Sequence, residues 1–223
     1  MSFLNAACSM QKLEVPEVIA GFTCGDKDLD DFFNNDCFAY AKQLLGKTYC
    51  FKLDEAPHTV VCAFTLANAG IRVSDLPNAR RKKIEANIPH AKALKDYPAV
   101  LVARLGVSKD FRSKHIGSDV LKHIKYWFIE PSNNTGCRYV LVDAYNNSAT
   151  LSFYESNGFQ LVFSTEKQEK EYRHIDADEC LNTRLMYQLI LSKFPDKEDY
   201  LLPDIIEPMD KQNWNYNFEL IKL

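Results

Sequence analysis

Two strand-loop-helix units in immediate succession constrain this chain more than any other part of its sequence. Residues 99–107, Ala-Val-Leu-Val-Ala-Arg-Leu-Gly-Val, are an almost unbroken apolar run of strand length, as expected of a strand covered on both faces. The polar loop 108–115 leads directly into residues 116–129, where Val120, Leu121, Ile124, Trp127 and Phe128 mark one apolar face of a helix that Pro131 closes. A second apolar strand over 139–144 is followed by the loop Tyr145-Asn146-Asn147 and a short helix over 149–156, which Asn157-Gly158 ends. Consecutive strand-helix-strand units set their strands parallel, so the chain belongs to the α/β class, with parallel strands at the centre of a mixed sheet.

The flanking segments supply the antiparallel part. After Cys24-Gly25-Asp26, residues Leu29, Phe32, Phe33, Cys37, Tyr40, Ala41 and Leu44 recur at helical spacing. Acidic residues at 26, 28, 30 and 31 crowd the end where the helix dipole favours negative charge, and Gly46 reads as the stop. Two β-rich runs, 48–53 and 59–67, form a hairpin around Asp54-Glu55-Ala56-Pro57. Residues 76–88 read as a short helix carrying Arg80, Arg81, Lys82 and Lys83, either a solvated face or a phosphate-contacting patch. A strand over 159–163 and a charged segment over 165–180 precede a hairpin partner over 183–190. Residues 1–193 make one domain. Residues 194–223, punctuated by Pro195, Pro203 and Pro208, are an extension packed on it or used for partner contact.

Composition narrows the function classes. Hydrophobic residues at 46% and charged residues at 26% of 223 describe a folded globular chain and exclude a disordered one. With 27 basic against 30 acidic residues the net charge of −3 argues against coating nucleic acid or membrane by bulk charge. Seven cysteines, an odd number without close pairs, point to a reducing cytoplasm rather than to a disulfide framework. The histidines at 58, 90, 115, 123 and 174 have no metal-binding spacing, so no metal is expected. Neither a leader peptide nor an 18-residue apolar stretch is evident, and no membrane association is expected.

Chemistry concentrates on the loop before the first helix. A strand-loop-helix turn offers free backbone N–H groups and the positive end of the helix dipole to an anion. Arg112 and Lys114 add positive charge, His115 adds a donor, and Gly117 allows close approach, so a pyrophosphate fits there. The second helix contributes Asn147-x-x-Thr150-x-x-Phe153-Tyr154-x-x-x-Gly158-Phe159.

Together these stretches resemble the acetyl-CoA-binding core of the GNAT superfamily of N-acetyltransferases. Its signature is Arg/Gln-x-x-Gly-x-Gly/Ala, followed by Asn-x-x-Ala-x-x-x-Tyr and a closing Gly-Phe. Arg112, Gly117, Asn147, Tyr154, Gly158 and Phe159 agree with it, whereas His115 replaces the first glycine and Thr150 the alanine. The resemblance implies a central mixed β-sheet with splayed parallel strands flanked by helices, and acetyl-CoA as acyl donor. It implies a cofactor site at Leu105, Gly106, Val107, Arg112, Ser113, Lys114, His115, Ile116, Gly117, Ser118, Asn147, Thr150 and Tyr154. Backbone N–H groups near Leu105 to Val107 would hold the thioester carbonyl, Tyr154 would protonate the leaving thiolate, and Phe153 would point into the core.

A narrower resemblance covers residues 22 to 190. Phe22-x-Cys24-Gly25-x-x-x-Leu29-Asp30-x-Phe32, the basic segment between Pro77 and Pro89, and Ala103-Arg104-Leu105-Gly106-Val107 are similar to the GNAT toxins of bacterial toxin-antitoxin modules, which acetylate the α-amine of aminoacyl-tRNA. Residues 99–107 hold no carboxylate to serve as general base, and Arg104 is their only ionisable residue. An α-amine of pKa about 8 is roughly a tenth neutral at pH 7, whereas a lysine near 10.4 starts about 3 kcal/mol behind. Aminoacyl-tRNA is therefore the first acceptor expected, with Asp143 or a water chain left open as base. A small-molecule or protein amine is the second reading, and an acetyl-CoA-binding interaction protein without catalysis the third. A homodimer and an antitoxin are the protein partners left open.

Overall fold

The computed structural model describes residues 3–13, 19, 21–86, 88, 94–130 and 132–190; the extension considered over 194–223 lies outside them. Helix α1 (Phe3–Ala7) runs into strand β1 (Cys8–Lys12). A continuous helical stretch follows: α2 (Lys27–Asp31), a π-helical turn (Phe32–Asp36) and α3 (Cys37–Lys42). Strands β2 (Lys47–Leu53) and β3 (Val60–Arg72) form the expected hairpin, and α4 (Asn78–Glu85) carries the basic run. Then come β4 (Asp96–Val107), α5 (Ile116–Ile129), β5 (Tyr139–Tyr145), α6 (Ser148–Ser156), β6 (Gln160–Leu161), α7 (Glu166–Arg173) and β7 (Thr183–Leu189).

The described strands make one seven-stranded sheet in the order β1-β2-β3-β4-β5-β7-β6. Only β4 and β5 run parallel; the other neighbours are antiparallel. Their parallel register extends from Ala99 opposite Tyr139 to Val102 opposite Val142 and stops there. On the other side of β4, Arg104 pairs with Thr65 and Val102 with Leu66, so Ala103 is the extra residue of a β-bulge. A bulge bends its strand and raises the local twist. From Ala103 onward β4 therefore leaves β5, and the sheet opens into a cleft.

Helix α5 covers one face of the sheet, its Ile116, Val120, Leu121 and Ile124 buried against Val100, Val102, Val140 and Val142. On the opposite face Ile84 of α4 packs with Tyr97, Tyr139, Leu141 and Phe163. A third cluster joins Phe22, Cys24, Phe32, Phe33 and Cys37 to Cys50 and Ala63.

Four sequence expectations change. Leu44, assigned to the apolar face of the first helix, lies beyond it at φ +58° and is 88% exposed. The π turn at Phe32–Asp36 shifts the helical phase, so the apolar spacing does not carry through to Leu44. The strand expected over 159–163 shortens to Gln160–Leu161. Helix α7, absent from the sequence reading, has no apolar stripe because its buried member is Glu169. Elements α1 and β1 were likewise unread, β1 being half-exposed at the sheet edge.

Candidate active site

Strand β4 builds the floor of the site. In an antiparallel pair, hydrogen-bonded and non-hydrogen-bonded residue pairs alternate. The Ser108 N–H donates to the Val61 carbonyl, so Gly106 and Arg104 also direct their backbone groups at β3. Leu105 and Val107 thus turn their N–H and C=O groups toward the splay. Of the N–H groups near Leu105 to Val107 expected to hold the carbonyl, that of Gly106 is directed at the sheet. Its lack of a side chain serves the other face, where a Cβ would sit 3.1 Å from the Phe33 ring and 3.2 Å from the Cys24 sulfur.

Helix α5 closes one end. Its N-cap, His115, makes no side-chain hydrogen bond to the helix, whereas Asn147 caps α6 and Thr165 caps α7 through their side-chain oxygens. The first N–H groups of this 14-residue helix are left for a ligand, and the helix dipole makes that ligand an anion. Ser113 and His115 both hold left-handed backbone, at φ +64° and +57°. His115 thus adopts the conformation a glycine would take there, at a cost of roughly 1–2 kcal/mol. Gly117 is required by packing, since a Cβ would lie 3.0 Å from the Phe153 ring.

The motif around residues 22–32 anchors this turn. The Asp30 carboxylate accepts from the Thr23 hydroxyl at 2.7 Å and the Cys24 N–H at 2.6 Å, which offsets its desolvation and holds its pKa below the usual range. Arg112 donates to the Cys24 carbonyl, tying the turn before α2 to the turn before α5.

These elements surround a cleft of about 880 Å³. It brings together Leu105, Gly106, Val107, Arg112, Ser113, His115, Ile116, Gly117, Ser118, Thr150 and Tyr154 of the expected set. Lys114 and Asn147 do not line it. The Lys114 ammonium lies 4.5 Å from the Phe3 ring centroid and 5.2 Å from that of Phe111, a cation–π arrangement that the sequence could not show before α1 was placed. The Asn147 side chain accepts from the Thr150 N–H at 2.9 Å, so it shapes the start of α6. Phe153, expected in the core, also forms cleft wall above Gly117.

Tyr154 stands on α6 facing the cleft, its ring 5.0 Å from Phe153 and 5.4 Å from Phe159. Burial pushes its phenol up to about 12, so it stays protonated throughout the physiological range. Cys24 also lines the cleft, but burial raises its thiol to about 11, which suppresses the thiolate a nucleophile needs. Asp143 is ion-paired with Arg173 at 2.5 Å and is not a free base. Sequence reasoning missed Asp26, Asp28, Tyr145 and Thr183, which line the far end of the cleft. Burial, then the nearby Asp26 and Asp28 carboxylates, raises the Tyr145 pKa. The acidic residues were read only as helix-dipole partners, and folding brings them to the site.

Comparison with known proteins agrees with this geometry. Residues 65–161 match the family model of the acetyltransferase (GNAT) domain. No curated protein matches the chain in sequence. Among solved structures, a tyrosine-to-phenylalanine mutant of KacT superposes with a TM-score of 0.59 at 19% identity, covering 82% of this chain and 95% of that one. A mutant of the toxin AtaT bound to the C-terminus of the antitoxin AtaR and acetyl-CoA gives 0.56 at 16% identity, covering 82% and 93%. AtaT complexed with acetyl-methionyl-tRNAfMet gives 0.58 at 21% identity, covering 71% and 91%. At such identities the likeness concerns the fold, and the match over 65–161 spans the bulged strand, the uncapped helix and the tyrosine-bearing helix. Over residues 65–161 the chain is thus similar to the acetyltransferase (GNAT) domain.

Proposed function

We propose that the protein moves the acetyl group of acetyl-CoA directly to the α-amine of aminoacyl-tRNA, in the cytoplasm, with Tyr154 as general acid. The residues present suit the donor. The uncapped start of α5, flanked by Arg112, suits its pyrophosphate, and the open edge at Leu105 and Val107 suits its amide-bearing arm and thioester carbonyl. The neutral amine attacks the carbonyl carbon, the C–S bond breaks, the Tyr154 hydroxyl delivers its proton to the departing sulfur, and the proton that the nitrogen gives up as the amide forms restores the phenol.

The observation that carries this reading is Tyr154. It sits in the wall of the cleft, protonated and with no hydrogen bond on its hydroxyl among the described residues. Support for the acceptor comes from two sides. Residues 99–107 of β4 offer no carboxylate base beside the thioester, which favours an amine of low pKa, and one structurally similar toxin is complexed with an acetylated aminoacyl-tRNA. The same reading brings an antitoxin as protein partner, since a similar toxin is bound to one.

Incubation with acetyl-CoA and charged tRNA, followed by mass spectrometry of the aminoacyl ends, tests the acceptor. N-acetylated ends are expected. Acetylation confined to small-molecule or protein amines would replace this acceptor with the alternative. Tyr154→Phe is expected to lower kcat by about 10² to 10⁴ with acetyl-CoA affinity retained; an undiminished rate removes the general-acid role.

A further inference from the structure

One cation of the cleft is used neither by the donor site nor by Tyr154. Arg104 lies on β4 immediately before Leu105 and lines the cleft. After the bulge at Ala103, Arg104 shares with Gly106 the face that packs on the π-helical turn. Its guanidinium carbon sits 5.1 Å from the Phe32 ring centroid, Nη1 donates to the Ala103 carbonyl at 2.9 Å, and Nε is buried without a hydrogen-bond partner. No carboxylate pairs with it among the described residues. Of the cleft's carboxylates, Asp143 is answered by Arg173, whereas Asp26 and Asp28 lie with Arg104 around Tyr145 and form no ion pair with it. A half-buried guanidinium without an anion is an incomplete arrangement. Contact with the Phe32 ring holds the guanidinium in place, and with Nε buried and Nη1 on the Ala103 carbonyl, Nη2 is the donor left for an oxyanion.

We propose that Arg104 is the anion receptor of the acceptor side, binding the phosphodiester at the 3′ end of aminoacyl-tRNA and thereby setting the α-amine against the thioester. The inference rests on the aminoacyl-tRNA reading above. In such a substrate the ester bond has consumed the amino acid's carboxylate, so the terminal phosphodiester is the fixed negative charge nearest the reacting amine. Successive strand residues advance by roughly 3.3 Å, which keeps Arg104 within two or three residues of the Leu105 and Val107 amides assigned to the carbonyl. Asp26 and Asp28 at the same end oppose an oxyanion, and Arg104 is the group there that favours one. Arg104 is a positioning residue: it touches the substrate's phosphate and takes no part in bond making.

The test compares two acceptors with the same amino acid, one esterified to cytidylyl-adenosine, which carries the phosphodiester, and one to adenosine, which does not. Initial rates give kcat/KM for the native protein, Arg104→Gln and Arg104→Lys, and calorimetric acetyl-CoA binding reports whether each variant is folded. The native protein is expected to prefer the dinucleotide ester by about 10- to 100-fold, the range of one charge-assisted contact. Arg104→Gln should bring that ratio toward one, and Arg104→Lys, which keeps the charge without the fork, should leave an intermediate ratio. Should Arg104→Gln lose acetyl-CoA binding, the Arg104→Lys ratio decides alone. An equal preference for both esters in the native protein, or variants that slow both by the same factor, overturns the proposal. So does acetylation of free amino acids that outpaces that of their amides, which would assign Arg104 to a carboxylate. Acetyl-CoA binding with neither ester acetylated defeats the aminoacyl-tRNA reading itself, an outcome distinct from an unchanged ratio.

Discussion

Single side chains at this site answer to two demands at once, and the glycines show it best. Gly106 lies in an ordinary strand but faces the Phe33 ring and Cys24 at 3.1–3.2 Å from where a Cβ would be. Gly106→Ala is therefore expected to cost about 1–3 kcal/mol by overpacking, read as a lower urea midpoint. A variant of native stability would show that the helical unit over 27–42 can retreat from the strand. His115 presents the opposite case. The signature glycine has been replaced while the backbone keeps the left-handed conformation that glycine favours, so the cost of that conformation remains in the fold. From the sequence His115 could be identified as a departure from the signature, whereas its φ angle could not. Asn147 matched the signature and Lys114 was expected at the cofactor for its charge, yet Lys114 lies against rings of α1 and the loop and Asn147 caps α6.

Elements with an apolar period were legible, and those held by charge were not. The match for α5 is complete, Ile116–Ile129, because four of its residues are fully buried on one face. Helix α7 reads Glu-Lys-Gln-Glu-Lys-Glu-Tyr-Arg and offers no such stripe. It was still signalled, by Thr165 three residues before Gln168, the spacing of a capping box, and the Thr165 side chain does accept from the Gln168 N–H. Its anchor is Glu169, fully buried, which accepts from Arg184 Nε at 2.7 Å, from the Leu185 N–H at 2.6 Å and pairs with Arg173 at 2.9 Å. Glu169→Gln would leave the buried Arg184 without its counter-charge, while Arg173 keeps Asp143. A loss of about 3–5 kcal/mol in chemical denaturation is expected, against about 1 kcal/mol for Thr165→Ala, which removes only the cap. Similar losses for the two variants would mean that the ion network contributes little.

Across the fold, α5 meets the β1–β2 edge through a half-buried histidine. His123 sits against the Phe51 ring at 5.3 Å and the Trp127 ring at 6.2 Å, with Nε2 3.2 Å from the Met10 sulfur. Burial lowers its pKa, with Glu130 the charged group opposing that shift. The unfolded chain therefore takes up the proton first as pH falls. Stability should be level above pH about 7 and decline as pH drops through about 6.5, and His123→Leu should flatten that decline in a series of denaturation curves between about pH 5 and 8. A native protein whose stability does not change over that interval would contradict this. The sequence of this protein carried its parallel centre, the turns before α5 and α6 and the tyrosine of its cleft, because buried strands, amphipathic helices and caps are written in local residue order. Folding decided where β4 parts from β5, which amides remain free, and that Asp26, Asp28 and Arg104 meet at one end of a cleft. Those outcomes depend on a bulge set by pairing with β3 and on contacts between residues far apart in the chain, which no local pattern encodes.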